Sequence, residues 1–307
     1  MMKAFIEEAY GICVHDIRPL PRGFYGETYR ADTDSGSFVV KLDRWPTHKQ
    51  EFAASLELVD MITANGIDFV PALMHGRNAE RSFAFDGGEL AMFEYAEGIH
   101  TEDVPGEALF ERLGIVYGCC RAPRMAADSL FTMAEYERVC RLKAALELSD
   151  AAGKAILASL DRRQEMLDAR AEKLRMFMER CRGKEFPTVL THGDAGGNCI
   201  VNSGGLSIID WDTAKYSVPE RDAWAHMTGP ESIVRIETGL AKGGFSYRLD
   251  MDAFGFFANA WFFEYIGNYL QCAVDGSAEV RVRMSGYLEE YFGCWIFDVL
   301  DRADELL

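Results

Sequence analysis

Apolar and polar positions divide the chain into stretches of different period. From Ile12 to Leu20 the sequence reads as an edge strand ending at Pro19 and Pro21, since proline cannot donate to a ladder. Gly23 to Arg30 reads as a glycine-bearing loop returning into a second strand, and Ser37 to Leu42 as a third. Between them, Asp32 to Gly36 has turn composition, because Asp, Ser and Gly tolerate the angles a reversal needs. The period then changes. Phe52, Leu56, Val59 and Ile62 fall on one helical face, and Asn65-Gly66 supplies a stop. Arg81 to Phe85 and Glu89 to Tyr95 flank Asp86-Gly87-Gly88 as a further hairpin, and Gly98 closes the strand-rich part.

From residue 107 onward the pattern is helical. Residues 134 to 182 are rich in Ala, Leu, Glu, Arg and Lys, which predicts nearly continuous helix broken at Gly153. Thr188 to Thr191 leads into a glycine-rich loop, and Cys199 to Val201 with Leu206 to Ile209 form a short hairpin. After Arg221 the chain is helical again, and the stripe Trp261, Phe262, Phe263, Tyr265 and Tyr269 reads as core.

Composition narrows the class. A chain of 307 residues, 49% hydrophobic and 26% charged, is globular and long enough for two domains or one bilobal unit. No run reaches the roughly 18 apolar residues a spanning helix needs, and Glu7-Glu8 interrupts any leader-like start, so a cytoplasmic protein is expected. The net charge of −17 repels phosphate backbones and anionic lipid; it disfavours nucleic acid and membrane partners and attracts small cations. Eight cysteines without a C-x-x-C spacing read as reduced and mostly buried, and no structural zinc site is visible.

The chemistry concentrates in the second half. Asp194 sits on a glycine-bounded loop, Asn198 follows four residues later, and a hairpin delivers Asp210. Magnesium takes hard oxygen ligands, one or two carboxylates with phosphate oxygens and water, so Asp210 and Asn198 can converge on one ion. Asp194 is left to face a substrate hydroxyl.

The set His192-Gly193-Asp194, Asn198, Ile209-Asp210-Trp211-Asp212 and Pro219-Glu220-Arg221-Asp222 resembles the catalytic segment of the aminoglycoside phosphotransferase family. Members usually place the Asn five residues after the catalytic Asp; here it is four, and Gly196-Gly197 offer backbone angles that re-aim it. The resemblance implies an α+β, bilobal protein-kinase-like fold. A small antiparallel-sheet N-lobe would span residues 1–97 with a hinge at about 93–98, and a larger helical C-lobe residues 98–307.

It also implies roles. Asp194 is the catalytic base, Asn198 and Asp210 are magnesium ligands, Asp222 is a structural carboxylate and His192 a scaffold residue. Lys41, mid-strand after the glycine loop, looks like the phosphate-binding lysine, with Glu51 as its carboxylate partner and Glu57 in reserve. Thr28, or the amides of Tyr25 and Gly26, would meet the terminal phosphates. The Glu94 carbonyl and Ala96 amide would read adenine.

The reaction implied is transfer of a phosphoryl group from ATP or GTP, with Mg2+, to a hydroxyl of a small and cationic molecule. The acidic excess, including Glu231 and Glu264, favours an aminoglycoside or aminocyclitol antibiotic. Choline, homoserine, methylthioribose and fructosamine kinases share such segments, so a metabolic kinase is the alternative. A nucleotide-binding pseudokinase is a third reading.

Overall fold

The alternating segments before Gly98 form one antiparallel sheet. The structure is a computed structural model. It describes all residues except 22–25, 46–47, 102–103, 105, 121, 123–124, 147–149 and 307. Helix α1 (Met2–Tyr10) precedes strands β1 (Val14–Pro19), β2 (Gly26–Thr33) and β3 (Gly36–Asp43), and helix α2 (Lys49–Ala64) follows. Strands β4 (Leu73–Met74), β5 (Phe83–Phe85) and β6 (Gly88–Glu94) complete the sheet, in the order β1-β2-β3-β6-β4 with β5 beside β6.

Alternation along β3 sorts its side chains. Phe38, Val40 and Leu42 are buried against Leu90, Met92 and the α1 residues Ile6 and Tyr10. Lys41, on the opposite face by the two-residue period, faces away from that core. Register sets Thr28 of β2 directly across from Lys41. Helix α2 buries Phe52, Leu56, Val59 and Ile62, the face its period predicts, and stops at Asn65 with Gly66 at φ 79°.

Helix α1 is not marked by a long periodic stripe: over nine residues it buries Ile6 and Tyr10, with Met2, Phe5 and Ala9 packed at the edge of the core. Burying the Ile6 side chain contributes about 2 kcal/mol to docking this short helix.

Beyond Gly98 come β7 (Ile99–Thr101) and helix α3 (Gly106–Cys119). Gly98 has φ 149°, and a Cβ there would lie 2.6 Å from the Val201 carbonyl oxygen, so only glycine permits this close crossing. Later in the chain, β8 (Val189–Thr191) pairs with β11 (Lys215–Ser217). The hairpin of β9 (Cys199–Asn202) and β10 (Gly205–Ile208) joins β7 in a three-stranded sheet.

The remaining elements are helical: α4 (Ala127–Leu130), α5 (Ala134–Ala145), α6 (Ala151–Arg162), α7 (Gln164–Cys181), α8 (Glu220–Ala223) and α9 (Pro230–Lys242). They are followed by α10 (Met251–Asp275), α11 (Ala278–Tyr291) and α12 (Ile296–Asp304). Helix α10 is buried along most of its length, and α5, α7, α11 and α12 pack on it. Trp261, Phe262 and Phe263 are core, as their spacing predicts, whereas Tyr265 and Tyr269 of the same stripe are only half-buried. The break expected at Gly153 falls elsewhere. Gly153 lies in the first turn of α6, its N–H donated to the Asp150 cap at 2.6 Å; α5 ends at its Leu146 cap, α6 begins after Asp150, and α6 gives way to α7 at Arg163.

Two compact units result. One comprises Met1–Ala122, Val189–Tyr216 and Thr238–Ser246; the other Pro123–Thr188, Ser217–Glu237 and Tyr247–Leu307. The division differs from one at residue 97: the segment carrying Asp194 and Asp210 belongs with the N-terminal sheet. No helix among the described residues is long and apolar enough to cross a membrane. All eight cysteines are free, but Cys13, Cys119 and Cys140 are exposed, so burial is less general than expected.

Candidate active site

The loop after β8 is built around a buried histidine. His192 donates from Nε2 to the Ile209 carbonyl at 2.8 Å, and its Nδ1 accepts the Asp194 amide N–H at 3.1 Å. One donated and one accepted bond define a neutral ring with its proton on Nε2. Packing against Trp211, with centroids 4.6 Å apart, fixes that ring. His192 is therefore a scaffold that aims the backbone of Asp194, whose side chain is exposed.

Asn198 closes the short loop. Its Nδ2 donates to the Asp194 carbonyl at 2.7 Å and lies 3.4 Å from the Asp194 carboxylate. His100 of β7 donates from Nε2 to the Gly197 carbonyl at 2.8 Å and ties down the glycine pair. The Ile209 amide donates to the Asn198 carbonyl at 2.9 Å, which links the loop to the residue preceding Asp210.

Asp210 itself is left-handed, at φ 63° and ψ 55°. Asp tolerates this region better than most residues, and such angles recur where a site needs a side chain aimed against backbone preference. The turn that follows carries Asp212 back toward Lys41.

The lysine answers both acids. Lys41 Nζ bonds Asp210 and lies 2.8 Å from Asp212 Oδ1. Burial works against the charge on Lys41, but the two carboxylates outweigh it and hold the ammonium above its usual range. Burial likewise opposes ionisation of Asp210, and Lys41 overcomes it, leaving that carboxyl below the usual carboxylate range. Asp212 goes the other way: burial, with Asp210 beside it, pushes it up to about 6 against the pull of Lys41. Two acids thus share one cation, and the pair carries surplus negative charge.

Thr28, Lys41, Asp194, Asn198, Asp210 and Asp212 line a single cavity of about 200 Å³. Gly26, also in the lining, lies close against β3: a Cβ there would sit 2.4 Å from the Leu42 carbonyl oxygen. Residues 23–25 of the glycine loop lie outside the described residues. Among the described residues no three His, Cys, Asp or Glu side chains gather as a metal cage.

The expected Lys41–Glu51 pair is not formed. Glu51 precedes the buried Phe52 in α2 and so points outward, 79% exposed and 4.0 Å from His48 Nε2. The reserve, Glu57, is engaged by Arg81 at 3.2 Å. What the sequence reading missed is Asp212, quoted in the motif without a role, and the buried His48–Asp43 pair that joins the start of α2 to the end of β3. Burial lowers the His48 pKa, but the bond to Asp43 outweighs it and raises the imidazole above its usual range.

Glu94 ends β6, its amide spent on the Ala72 carbonyl at 2.9 Å, and Ala96 lies just beyond; neither lines the cavity. In the second unit Asp222 is buried, Glu231 is 92% exposed near Arg235, and Glu264 is half-buried on α10.

Comparison with known proteins fits this geometry. The pattern that describes the phosphotransferase enzyme family matches residues 16–249, and the chain belongs to that family. Protein StrN of Streptomyces griseus is 29% identical over 191 residues, which are 57% of this chain and 59% of StrN, so the match spans less than two thirds of that relative. Among solved structures, a spectinomycin phosphotransferase in complex with ADP and spectinomycin superposes with a TM-score of 0.75 at 16% identity. That superposition covers 99% of this chain and 97% of the other. An amicoumacin kinase in complex with AMP-PNP and Ca2+ gives a TM-score of 0.60 at 16% identity, over 98% and 93%. A microcompartment-associated aminopropanol kinase gives 0.61 at 15%, over 94% of each chain. The fold is the kinase-like α+β fold of this family.

Proposed function

We propose that the chain transfers the γ-phosphoryl group of ATP or GTP to a hydroxyl of a small amine-bearing acceptor, foremost an aminoglycoside or aminocyclitol antibiotic. The observation that carries this reading is the convergence on one cavity of Lys41, Asp194, Asn198 and Asp210, with Lys41 and Asp210 lying 169 residues apart in sequence. Phosphoryl transfer asks a protein mainly to position groups and balance charge, and this set is equipped for both.

Asp194 is exposed on a loop held by His192 and Asn198. It orients the acceptor hydroxyl, and its carboxylate takes the proton as the oxygen attacks phosphorus. Lys41 meets the phosphates, with Thr28 across the strand pair. The residues fit a magnesium ion: the two carboxylates exceed their single lysine in charge, and the Asn198 amide oxygen has no hydrogen-bond partner among the described residues. Asp210 and Asn198 would hold the ion, which neutralises phosphate charge when bound. The Glu94 carbonyl and Ala96 amide remain the proposed adenine contacts, and Glu231 and Glu264 the proposed acceptor-facing acids. Glu51 is left without a nucleotide role.

An amine-bearing acceptor is supported by the net charge of −17 and by neighbours whose acceptors include spectinomycin, an aminocyclitol. The aminopropanol kinase favours a second reading, a metabolic amino-alcohol kinase. Incubation with MgATP and a panel of spectinomycin, other aminocyclitols, 1-amino-2-propanol and choline tests both. Acceptor-dependent ADP release with a phosphate ester in the 31P spectrum is expected. A folded, MgATP-binding protein that phosphorylates none of them would sink both readings and leave a pseudokinase.

A further inference from the structure

The second unit holds a cavity of different chemistry. It has a volume of about 260 Å³ and lies between the later half of α10, the end of α11 and the Cys294–Trp295 segment. Its walls are mainly aromatic. Tyr269 stands 6.2 Å from Tyr287 and 5.8 Å from Tyr291, with interplanar angles of 49° and 67°, so the rings present faces in several directions. The Tyr291 hydroxyl is spent on the Phe262 carbonyl at 3.1 Å, which leaves its ring as an apolar wall.

Trp295 is 50% exposed and Tyr287 is 41% exposed, an arrangement that wastes apolar surface unless something covers it. Trp295 is nevertheless held firmly: it stacks on Trp224, which stacks on Trp261, each pair 5.6 Å apart.

Charge selects the ligand. Glu290 is the one charged side chain in the lining, with no lysine or arginine there, and it forms no ion pair among the described residues. Burial, then the neighbouring Cys294, Tyr287 and Glu290, push the Tyr269 phenol up to about 12, so it stays neutral. Aromatic faces are negative at their centres and attract weakly hydrated cations. A bare divalent ion would find one carboxylate and no cage of hard oxygens, and an anion would meet Glu290.

We propose that this cavity binds an organic ammonium group, with Tyr269, Tyr287, Tyr291 and Trp295 as its aromatic walls and Glu290 as its counter-charge.

Calorimetric titration of the intact chain tests this without turnover, using choline and its uncharged isostere 3,3-dimethylbutan-1-ol. Choline is expected to bind about tenfold tighter, and Glu290→Gln and Tyr269→Leu each to weaken choline about tenfold. MgATP affinity should stay unchanged, which reports that both variants are folded. Equal binding of the two alcohols, no choline binding at millimolar concentration, or variants with parental choline affinity would overturn the proposal. Choline binding in a protein that phosphorylates no acceptor would keep the cage and refute only the kinase reading.

Discussion

Lys41 shows how one side chain can hold a site before its ligands arrive. Two carboxylates brought together in partial burial repel each other, and the lysine between them offsets that repulsion. Lys41→Ala removes the proposed phosphate partner and leaves Asp210 and Asp212 unneutralised. ATP-dependent turnover should fall while adenosine affinity persists, and the melting temperature should drop but recover more with Mg2+ than that of the parent. Calorimetry and thermal shift check this, and equal loss of adenosine and ATP binding would make Lys41 structural. The partner of Lys41 was not legible in sequence, because a strand lysine gives no sign of which distant acid will reach it. Helix α2 supplied a nearby glutamate, and the chain chose two aspartates far downstream instead.

At the scale of elements, segments whose own period decides their burial were legible. Strand β3 follows from alternation, β1 and β2 from the prolines and turn residues that bound them, and the α2 face and both hairpins from a helical stripe and turn residues. Helix α1 and the parting of α5 from α6 depend on tertiary contacts and a cap, which local pattern does not encode. The short helix α8 gives a prediction of its own. Glu220 is fully buried; its Oε1 accepts from the Tyr247 hydroxyl at 3.0 Å and the Asp250 amide at 2.7 Å, while Oε2 has no hydrogen-bond partner among the described residues. Burial pushes its carboxyl up to about 7 from an ordinary value of 4.5. Between those values the folded state holds a proton that the unfolded state has released. The contribution of Glu220 to stability is therefore full below about pH 4.5 and falls as the pH rises to about 7, by on the order of 3 kcal/mol. Glu220→Gln should accordingly gain stability relative to the parent as the pH rises from 5 to 8. A parallel pair of melting curves over that range would contradict the assignment.

For the whole molecule, the charge of −17 acts at a distance. A cationic acceptor is drawn toward such a surface and MgATP is not, and salt screens the attraction over about 10 Å at 0.1 M. Raising NaCl from 50 to 300 mM should raise the KM for an amine-bearing acceptor severalfold and leave the KM for MgATP flat or lower. A neutral acceptor should show no such rise; a salt-independent KM for the amine would mean that the acidic surface plays no part in recognition.

The central claim is that Asp194 is the proton acceptor in a phosphoryl transfer. Its side chain is exposed, and the loop that carries it is held through backbone bonds to His192 and Asn198. Asp194→Asn keeps the shape and removes the base. The decisive measurement is single-turnover transfer with saturating MgATP and an acceptor turned over by the parent. The account predicts a loss of roughly 10² to 10⁴ in rate, or about 2.7 to 5.4 kcal/mol of barrier, with MgATP affinity intact. Transfer within about threefold of the parent, with chemistry shown to limit the rate, would remove Asp194 from the mechanism.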